Sequence, residues 1–174
     1  MTDVGRLALT RILLYTIGGL CLLAIIVTTI GYALPQGHVV SRDDTLPGPQ
    51  GQVFSLITDV AQQPSWRTGV TGVDVLSTDP LKWREHQGSD AILFEVVESR
   101  PPDLLRVRIA DPDLPFGGTW TYELHPDGNG TKLRITEQGE VFNPIFRFVS
   151  RFVFGHTATV DRYMADLRRR LEAR

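Results

Sequence analysis

The first hydrophobic pattern in the chain is an unbroken apolar run close to the N-terminus. No charged residue lies between Ile12 and Leu34, where Leu, Ile, Val, Gly and Thr dominate. As a helix, these roughly 23 residues extend about 34 Å, enough to cross a hydrocarbon core of about 30 Å. A helix also satisfies its backbone polar groups internally, as a bilayer requires. The pattern therefore predicts a transmembrane helix over residues 12–34, preceded by a short flank, residues 1–11.

Two other interpretations of this run are a buried core helix and a cleaved signal peptide. Core helices rarely reach this length without a charge. Gly31-Tyr32-Ala33 offers small residues suited to cleavage, after a basic start that contains Arg6 and Arg11. However, the apolar region of a signal peptide usually has about 7–15 residues, so the longer run favours an uncleaved anchor.

After the connector Pro35-Gln36-Gly37, residues 38–174 carry the mixed pattern of one α+β domain. Apolar residues at helical spacing predict short helices at Gln52–Val60 and Gln62–Trp66. Alternating runs between turn residues predict seven strands, six of them consecutive, and therefore an antiparallel meander. The predicted strands are His38–Thr45, Val73–Leu76, Leu81–His86, Ala91–Glu98, Leu104–Ala110, Thr119–His125 and Thr131–Val141.

The last apolar pattern again has helical spacing. Asn143 is a typical N-cap, Pro144 suits the first helical position, and apolar residues recur as far as Leu171. Gly155 interrupts the pattern and predicts a kink or a close contact. A curved antiparallel sheet has one apolar face to cover, and this long helix is the predicted element large enough to cover it. We therefore expect a helix-grip fold, with the sheet wrapped on the long C-terminal helix and the two short helices at one end.

Charge and cysteine content narrow the possible functions. The net charge is −2 for the whole chain and about −3 beyond residue 34, so no basic field indicates a nucleic-acid partner. The lone cysteine, Cys21, lies in the apolar run, which leaves the domain without disulfides or thiolate ligands. The four histidines, His38, His86, His125 and His156, lie in separate segments without ligand spacing. We therefore expect no metal and no other cofactor.

The charges flanking the apolar run predict its orientation. Arg6 and Arg11 precede the run, whereas Arg42 is the first basic residue after it. The positive-inside rule then places the N-terminus in the cytoplasm and the domain outside it. The expected localisation is a single-pass membrane protein with an extracytoplasmic domain.

Several segments of the predicted domain share a distinctive combination of packing and turn residues. They are Val53–Val60 followed by Pro64–Arg67, then Phe94–Glu98, Gly117–Leu124 and Gly130–Glu137. In these segments, and over roughly residues 38–171, the chain resembles the START-like or SRPBCC superfamily, specifically its polyketide cyclase/dehydrase and lipid-transport branch. The resemblance implies an elongated apolar cavity between the sheet and the long helix. It implies no particular activity, because the superfamily includes carriers, cyclases and proteins of unknown role.

Strand alternation indicates which side chains would line such a cavity. Trp120, Tyr122 and Glu137 share inward positions in the predicted sixth and seventh strands, as does Phe94 in the fourth. For each apolar candidate the alternative is an ordinary core position, since a cavity is a core left unfilled. The candidate ligand-binding residues are Trp83, Phe94, Trp120, Tyr122, Glu137, Phe148, Phe152, His156 and Tyr163.

Glu137 is the most unusual polar residue among these candidates. A buried carboxylate needs a partner, and Arg106, Arg108 and His156 are the candidates. Such a group could orient a ligand or act as an acid or base; the alternative is a strand end that faces solvent. His156, beside Gly155, could likewise transfer protons at a cavity mouth or simply lie in solvent.

These patterns lead to a membrane-anchored domain that binds a hydrophobic or amphipathic small molecule, such as a lipid. One alternative is a cyclase- or dehydrase-like enzyme acting on a polyketide-like or aromatic substrate, and another is a tethered interaction module. An enzyme needs several polar groups in its cavity, and the few inward candidates therefore favour binding over catalysis. The expected partners are the bilayer and the small molecule, and the sequence identifies no protein partner.

Overall fold

The chain forms one long N-terminal helix followed by a seven-stranded antiparallel sheet with its covering helices. The computed structural model describes the backbone of residues 3–154 and 157–173, and the side chains of residues 10–152 and 157–173. The helical elements are α1 (Asp3–Ala33), α2 (Gln50–Thr58), a 3₁₀ helix (Val60–Ser65), α3 (Pro144–Val149), a π turn (Ser150–Phe154) and α4 (Ala158–Glu172). The strands are β1 (Gly37–Pro47), β2 (Gly72–Thr78), β3 (Leu81–Gln87), β4 (Asp90–Arg100), β5 (Leu104–Ile109), β6 (Phe116–Asp127) and β7 (Gly130–Val141).

The sheet has the strand order β1-β7-β6-β5-β4-β3-β2. Strands β2 to β7 form a meander in which each strand pairs antiparallel with the next. Strand β1 returns to the other edge and pairs antiparallel with β7. Each predicted strand has its counterpart, and the helix-grip prediction is confirmed.

The solid core lies between the sheet and the amphipathic helices α2 and α4. Leu124, Leu133 and Ile135 point inward from β6 and β7 and are fully buried. Val53 of α2 and Leu167 of α4 are fully buried in the same cluster. Burial of such side chains supplies the main driving force for folding, at about 1.5–3 kcal/mol for each large aliphatic residue.

The C-terminal helix is not continuous. The Asn143 side chain caps α3 by accepting hydrogen bonds from the backbone N–H groups of Ile145 (2.9 Å) and Phe146 (3.2 Å). The π turn follows α3 through Phe154, and α4 starts anew at Ala158. Gly155, where the sequence predicts a kink or a close contact, lies outside the described residues. Of the C-terminal helices, α4 contributes to the core, while α3 packs against α1.

Helix α1 contains a stretch, Thr10–Ala33, of 24 residues with a mean hydropathy of 2.3. Within the described residues it is the one helix long and apolar enough to cross a membrane, and its most apolar window is wholly unburied. The helix ends against α3. A Cβ atom on Gly31 would lie 1.9 Å from the backbone oxygen of Pro144, so this close approach requires glycine.

A buried arginine joins the end of α1 to α3. Arg147 donates hydrogen bonds to the carbonyl oxygens of Gly31 (3.1 Å) and Leu34 (3.3 Å). It also donates to the carbonyls of Val141 (2.8 Å) and Phe142 (2.9 Å). The guanidinium thereby satisfies carbonyl groups that the end of a helix leaves without partners. We call this arrangement the Arg147 clasp.

Candidate ligand cavity

A cavity of about 450 Å³ lies between the inner face of the sheet and the C-terminal helical segments. Cavities that hold small organic ligands typically measure about 300–1,000 Å³. Aliphatic and aromatic residues of β4, β5 and β6 form most of its floor. The lining residues with apolar side chains are Trp83, Ile92, Phe94, Val107, Ile109, Phe116, Trp120, Tyr122, Val141, Phe146 and Val149.

Along β6 and β7, the inward-facing residues pass from the solid core to the lining of the cavity. Leu124 is fully buried in the solid core, and Tyr122 and Trp120, the next inward residues toward the start of β6, line the cavity. The following inward position is Gly118, which pairs with Gly139 on β7. Gly118 has φ +135°, and a Cβ there would lie 2.3 Å from the backbone oxygen of Gln138. Both glycines line the cavity without side chains of their own, and the position beside Gly139 is taken by the His38 ring, whose Cε1 would lie 2.3 Å from a Cβ there.

Two groups of aromatic rings form part of the cavity wall. Trp83 and Phe94 are stacked with ring centroids 5.4 Å apart, and Trp120 and Tyr122 are 6.2 Å apart. Tyr163 of α4 packs edge-on against Trp120, with centroids 5.8 Å apart. Burial raises the pKa of Tyr163 to about 12 and also raises the pKa of Tyr122, so both phenols remain neutral and supply apolar surface.

Glu137 faces the cavity from β7, and its carboxyl lies near a histidine. Its side chain is 16% exposed, and its Oε1 lies 3.5 Å from Nε2 of His38 on β1. Oε2 is buried without a hydrogen-bond partner among the described residues. Burial raises the pKa of Glu137 from 4.5 to about 7, because a carboxylate is poorly solvated there. Near neutral pH the group therefore exists in both protonation states.

The expected partners of Glu137 require correction. Arg108 pairs with Glu95, donating from Nη2 over 2.5 Å, and Arg106 pairs with Glu98 at 3.1 Å. Both arginines lie beside strand neighbours with which they form cross-strand pairs. His156, the third candidate, lies outside the described residues. The partner found, His38, belongs to a strand about 100 residues earlier in the chain.

A second polar cluster lies at the β3 side of the cavity. Glu85 is 1% exposed and pairs with Nη1 of Arg67. Gln87 donates to Glu85 over 2.5 Å, and Arg67 donates to Gln63 over 2.6 Å. The guanidinium of Arg67 also lies 5.0 Å from the ring centroid of Tyr163. A buried charge held by several partners is the arrangement that makes its burial tolerable.

Sequence reasoning did not include Arg67, Glu85, Gln63 or His38 among the candidate residues, although all four line the cavity. Strand alternation could have identified Glu85 as inward-facing, because it lies two residues from Trp83 on the same strand. Arg67 and Gln63 lie in and beside the 3₁₀ helix, where no strand alternation applies. Their location depends on how that helix packs against β2 and β3.

The predicted candidates separate into three groups. Trp83, Phe94, Trp120, Tyr122 and Glu137 line the cavity. Tyr163 is buried behind the aromatic wall, and Phe148 packs on Phe152, with centroids 4.9 Å apart, away from the cavity. Phe152 is 60% exposed, and neither Phe148 nor Phe152 lies among the residues that line the cavity, although their neighbours Val149 and Ser150 do. His156 is not described.

The cavity offers a ligand apolar surface and also several polar and charged side chains of its lining residues. Nε1 of Trp83 is buried and, like Oε2 of Glu137, has no partner among the described residues. These two atoms provide a donor and, at the carboxyl, either a donor or an acceptor. Among the described residues, no group of three or more His, Cys, Asp or Glu side chains is arranged to hold a metal ion. The chemistry available is apolar contact, hydrogen bonding and proton exchange.

A curved antiparallel sheet closed by a C-terminal helix, with an apolar cavity between them, defines the class of START-like helix-grip proteins. Within this class, the chain belongs to the polyketide cyclase/dehydrase and lipid transport family, whose profile matches residues 37–173. The match covers the sheet and its helices and begins after α1.

Solved structures show the same fold. A START superfamily protein from Mycobacterium smegmatis has a TM-score of 0.64 and 17% identity, covering 78% of this chain and 98% of that one. A protein from Thermus thermophilus has a TM-score of 0.64 and 20% identity, covering 78% and 98%. The di-domain aromatase/cyclase StfQ of the steffimycin biosynthetic pathway has a TM-score of 0.64 and 12% identity, covering 79% of this chain and 52% of that one. Comparison with curated protein sequences finds no match.

Proposed function

We propose that this protein binds a hydrophobic or amphipathic small molecule, such as a lipid, in the cavity while α1 anchors it in a membrane. The cavity carries the proposal: it measures about 450 Å³ and is bounded mainly by aromatic and aliphatic side chains. Trp83 Nε1 and Glu137 Oε2, which have no hydrogen-bond partner among the described residues, would each be available to a polar group of the ligand. Family membership supports the same class of ligand, because the family includes lipid-transport proteins.

The proposed anchor rests on the stretch Thr10–Ala33, whose length and mean hydropathy suit a bilayer. The flanking arginines favour a domain outside the cytoplasm. Carbonate-washed membranes should retain the full-length chain, and protease added to intact spheroplasts should digest the domain. Release of the protein by carbonate would contradict the anchor, and protection in intact spheroplasts would reverse the orientation.

One observation favours an acid–base enzyme as a second candidate function. Glu137 has a pKa of about 7 and faces the cavity beside His38, which is the range in which a side chain exchanges protons efficiently at neutral pH. Other solved relatives of this fold include a norcoclaurine synthase mutant from Thalictrum flavum, at 9% identity. We rank binding first, because most of the cavity wall is apolar.

Binding is tested with the full-length protein purified in detergent. Native mass spectrometry should detect a co-purifying small molecule, and a fluorescent fatty acid should bind saturably. Ile109 lines the cavity, so Ile109→Trp should occupy the space and weaken probe binding at least tenfold. The matched control is Val97→Trp, which adds the same ring at an exposed strand position and should leave binding unchanged.

Two results would count against the proposal. The first is equal probe affinity in the Ile109→Trp and Val97→Trp variants, since the cavity would then not be the binding site. The second is the absence of any saturable binding by the unmodified protein together with no co-purifying molecule. That second result would favour a tethered interaction module over a ligand-binding protein.

A further inference from the structure

The segment that follows the sheet exposes large apolar side chains next to the end of α1. Phe142, Ile145, Phe146 and Phe152 each remain about half exposed or more, with Phe146 at 54%. They lie within eleven consecutive residues, 142–152, that run from the end of β7 through α3 into the π turn. Exposed apolar residues concentrated in one segment mark an interaction surface. We call residues 142–152 the apolar collar.

The apolar collar is fixed to α1 rather than free in solvent. Gly31 of α1 is buried, and its backbone approaches Pro144 so closely that a Cβ would lie 1.9 Å from the Pro144 oxygen. The Arg147 clasp bonds the same turn of α1 through the carbonyls of Gly31 and Leu34. Val27 and Thr28, one turn earlier on the same face, are half-buried, whereas residues 10–26 are exposed. Helix α3 therefore lies alongside the last two turns of α1.

The length of α1 sets the depth in the bilayer at which α1 and α3 are in contact. At 1.5 Å per residue, the 24-residue stretch Thr10–Ala33 spans about 36 Å, roughly 3 Å beyond each side of a 30 Å hydrocarbon core. Val27 then lies about 6 Å inside the hydrocarbon boundary, and Gly31 lies close to that boundary. Amphipathic interfacial segments bury their apolar residues about 5–10 Å into the same zone. The apolar collar is thus held at the depth where a bilayer would cover it.

The cavity ends at this same place. Along β7 the inward residues run from Ile135 in the core through Glu137 and Gly139 to Val141, which precedes α3. Phe146 belongs both to the exposed surface of the collar and to the cavity lining. The exposed Arg151 of the π turn adds a positive charge beside the apolar side chains, which suits anionic headgroups.

We propose that the apolar collar inserts into the interfacial layer of the bilayer that holds α1, so that the cavity opens at the membrane surface. This inference rests on the proposed anchoring by α1. A hydrophobic ligand would pass between the bilayer and the cavity beside Phe146 without crossing water. The occupant of the collar is therefore lipid, and not a second copy or another protein.

Site-directed spin labelling of the full-length protein in phosphatidylcholine and phosphatidylglycerol vesicles tests the insertion. Native Cys21, exposed near the middle of the apolar stretch, reports the depth of α1. In a Cys21→Ser background, labels at Phe146→Cys and Phe152→Cys report the collar, and Val97→Cys on the exposed side of β4 is the matched control. The ratio of collision rates with oxygen and with a water-soluble nickel chelate should be several-fold higher at positions 21, 146 and 152 than at 97.

The other outcomes overturn the inference in distinguishable ways. If the collar labels meet the nickel chelate as freely as position 97 while position 21 prefers oxygen, the anchor stands and the insertion is refuted. If the collar labels meet neither reagent, protein covers the collar, which also refutes insertion. If the label at Cys21 itself meets the chelate freely, the proposed anchor fails and the inference fails with it.

Discussion

Replacing Glu137 by glutamine tests the environment of the cavity most directly. The carboxyl is 16% exposed, its Oε2 has no partner among the described residues, and burial raises its pKa from 4.5 to about 7. His38, with Nε2 3.5 Å from Oε1, is the ionisable side chain within salt-bridge reach of it in the described part of the chain. Glutamine keeps the shape of the protonated acid and removes its titration.

The sign of the effect follows from proton linkage. Because the folded protein holds the Glu137 proton more tightly than the unfolded chain does, ionisation of this group destabilises the folded state. Its contribution to stability is complete below pH 4.5 and is lost as the pH rises through 7. A pKa that moves from 4.5 to about 7 corresponds to about 3 kcal/mol at 1.36 kcal/mol per pKa unit. The wild-type protein should therefore lose about 3 kcal/mol between pH 4 and pH 8 through this group.

Urea unfolding of the full-length protein in detergent micelles measures this loss. The fluorescence of the buried Trp66 and Trp83 reports unfolding at each pH. The free energy of unfolding of Glu137→Gln, relative to the wild type, should rise by about 3 kcal/mol from pH 4 to pH 8. Glu140→Gln removes an exposed carboxyl three residues along the same strand and should show no such rise. Parallel pH dependence in the wild type and Glu137→Gln would refute the argument.

Two further substitutions test other parts of the structure. Arg67→Met leaves the buried Glu85 without its charged partner and should lower the free energy of unfolding in urea by about 3–5 kcal/mol. The double variant Arg67→Met/Glu85→Leu should recover most of this loss. A double variant as unstable as Arg67→Met would contradict the prediction. Gly31→Val places a side chain against Pro144 and should speed amide hydrogen exchange in α3 while leaving the melting temperature of the domain unchanged. The control is Gly18→Val, because no atom lies within 4 Å of a Cβ placed there. Equal amide exchange in the two variants would argue against the packing of α1 on α3.

The order of helices and strands could be predicted from the sequence because its signals are local. A long run of residues without charges indicates α1, and alternation of apolar and polar residues with a period of two indicates the strands. The same alternation placed Phe94, Trp120 and Tyr122 on the inner face, where they line the cavity. These inferences need only neighbouring residues, since a strand directs successive side chains to opposite faces whatever it packs against.

The tertiary structure alone decided which inward residues fill the core and which bound the cavity. Alternation treats Leu124 and Trp120 alike, yet Leu124 is fully buried and Trp120 lines open space. Beyond Trp120, the paired glycines Gly118 and Gly139 continue the cavity lining. A void is a property of several strands and helices together, so no single segment encodes it.

The partners of the charged groups also could not be predicted from the pattern of a single segment. Glu137 meets His38 across the pairing of β7 with β1, and Glu85 meets Arg67 from beyond the 3₁₀ helix. The Arg147 clasp likewise depends on where α1 ends. Sequence periodicity determined the elements of this protein and their faces. Packing between elements distant in sequence decided the cavity, its charges and its position beside α1, because those contacts form only when the whole sheet has closed.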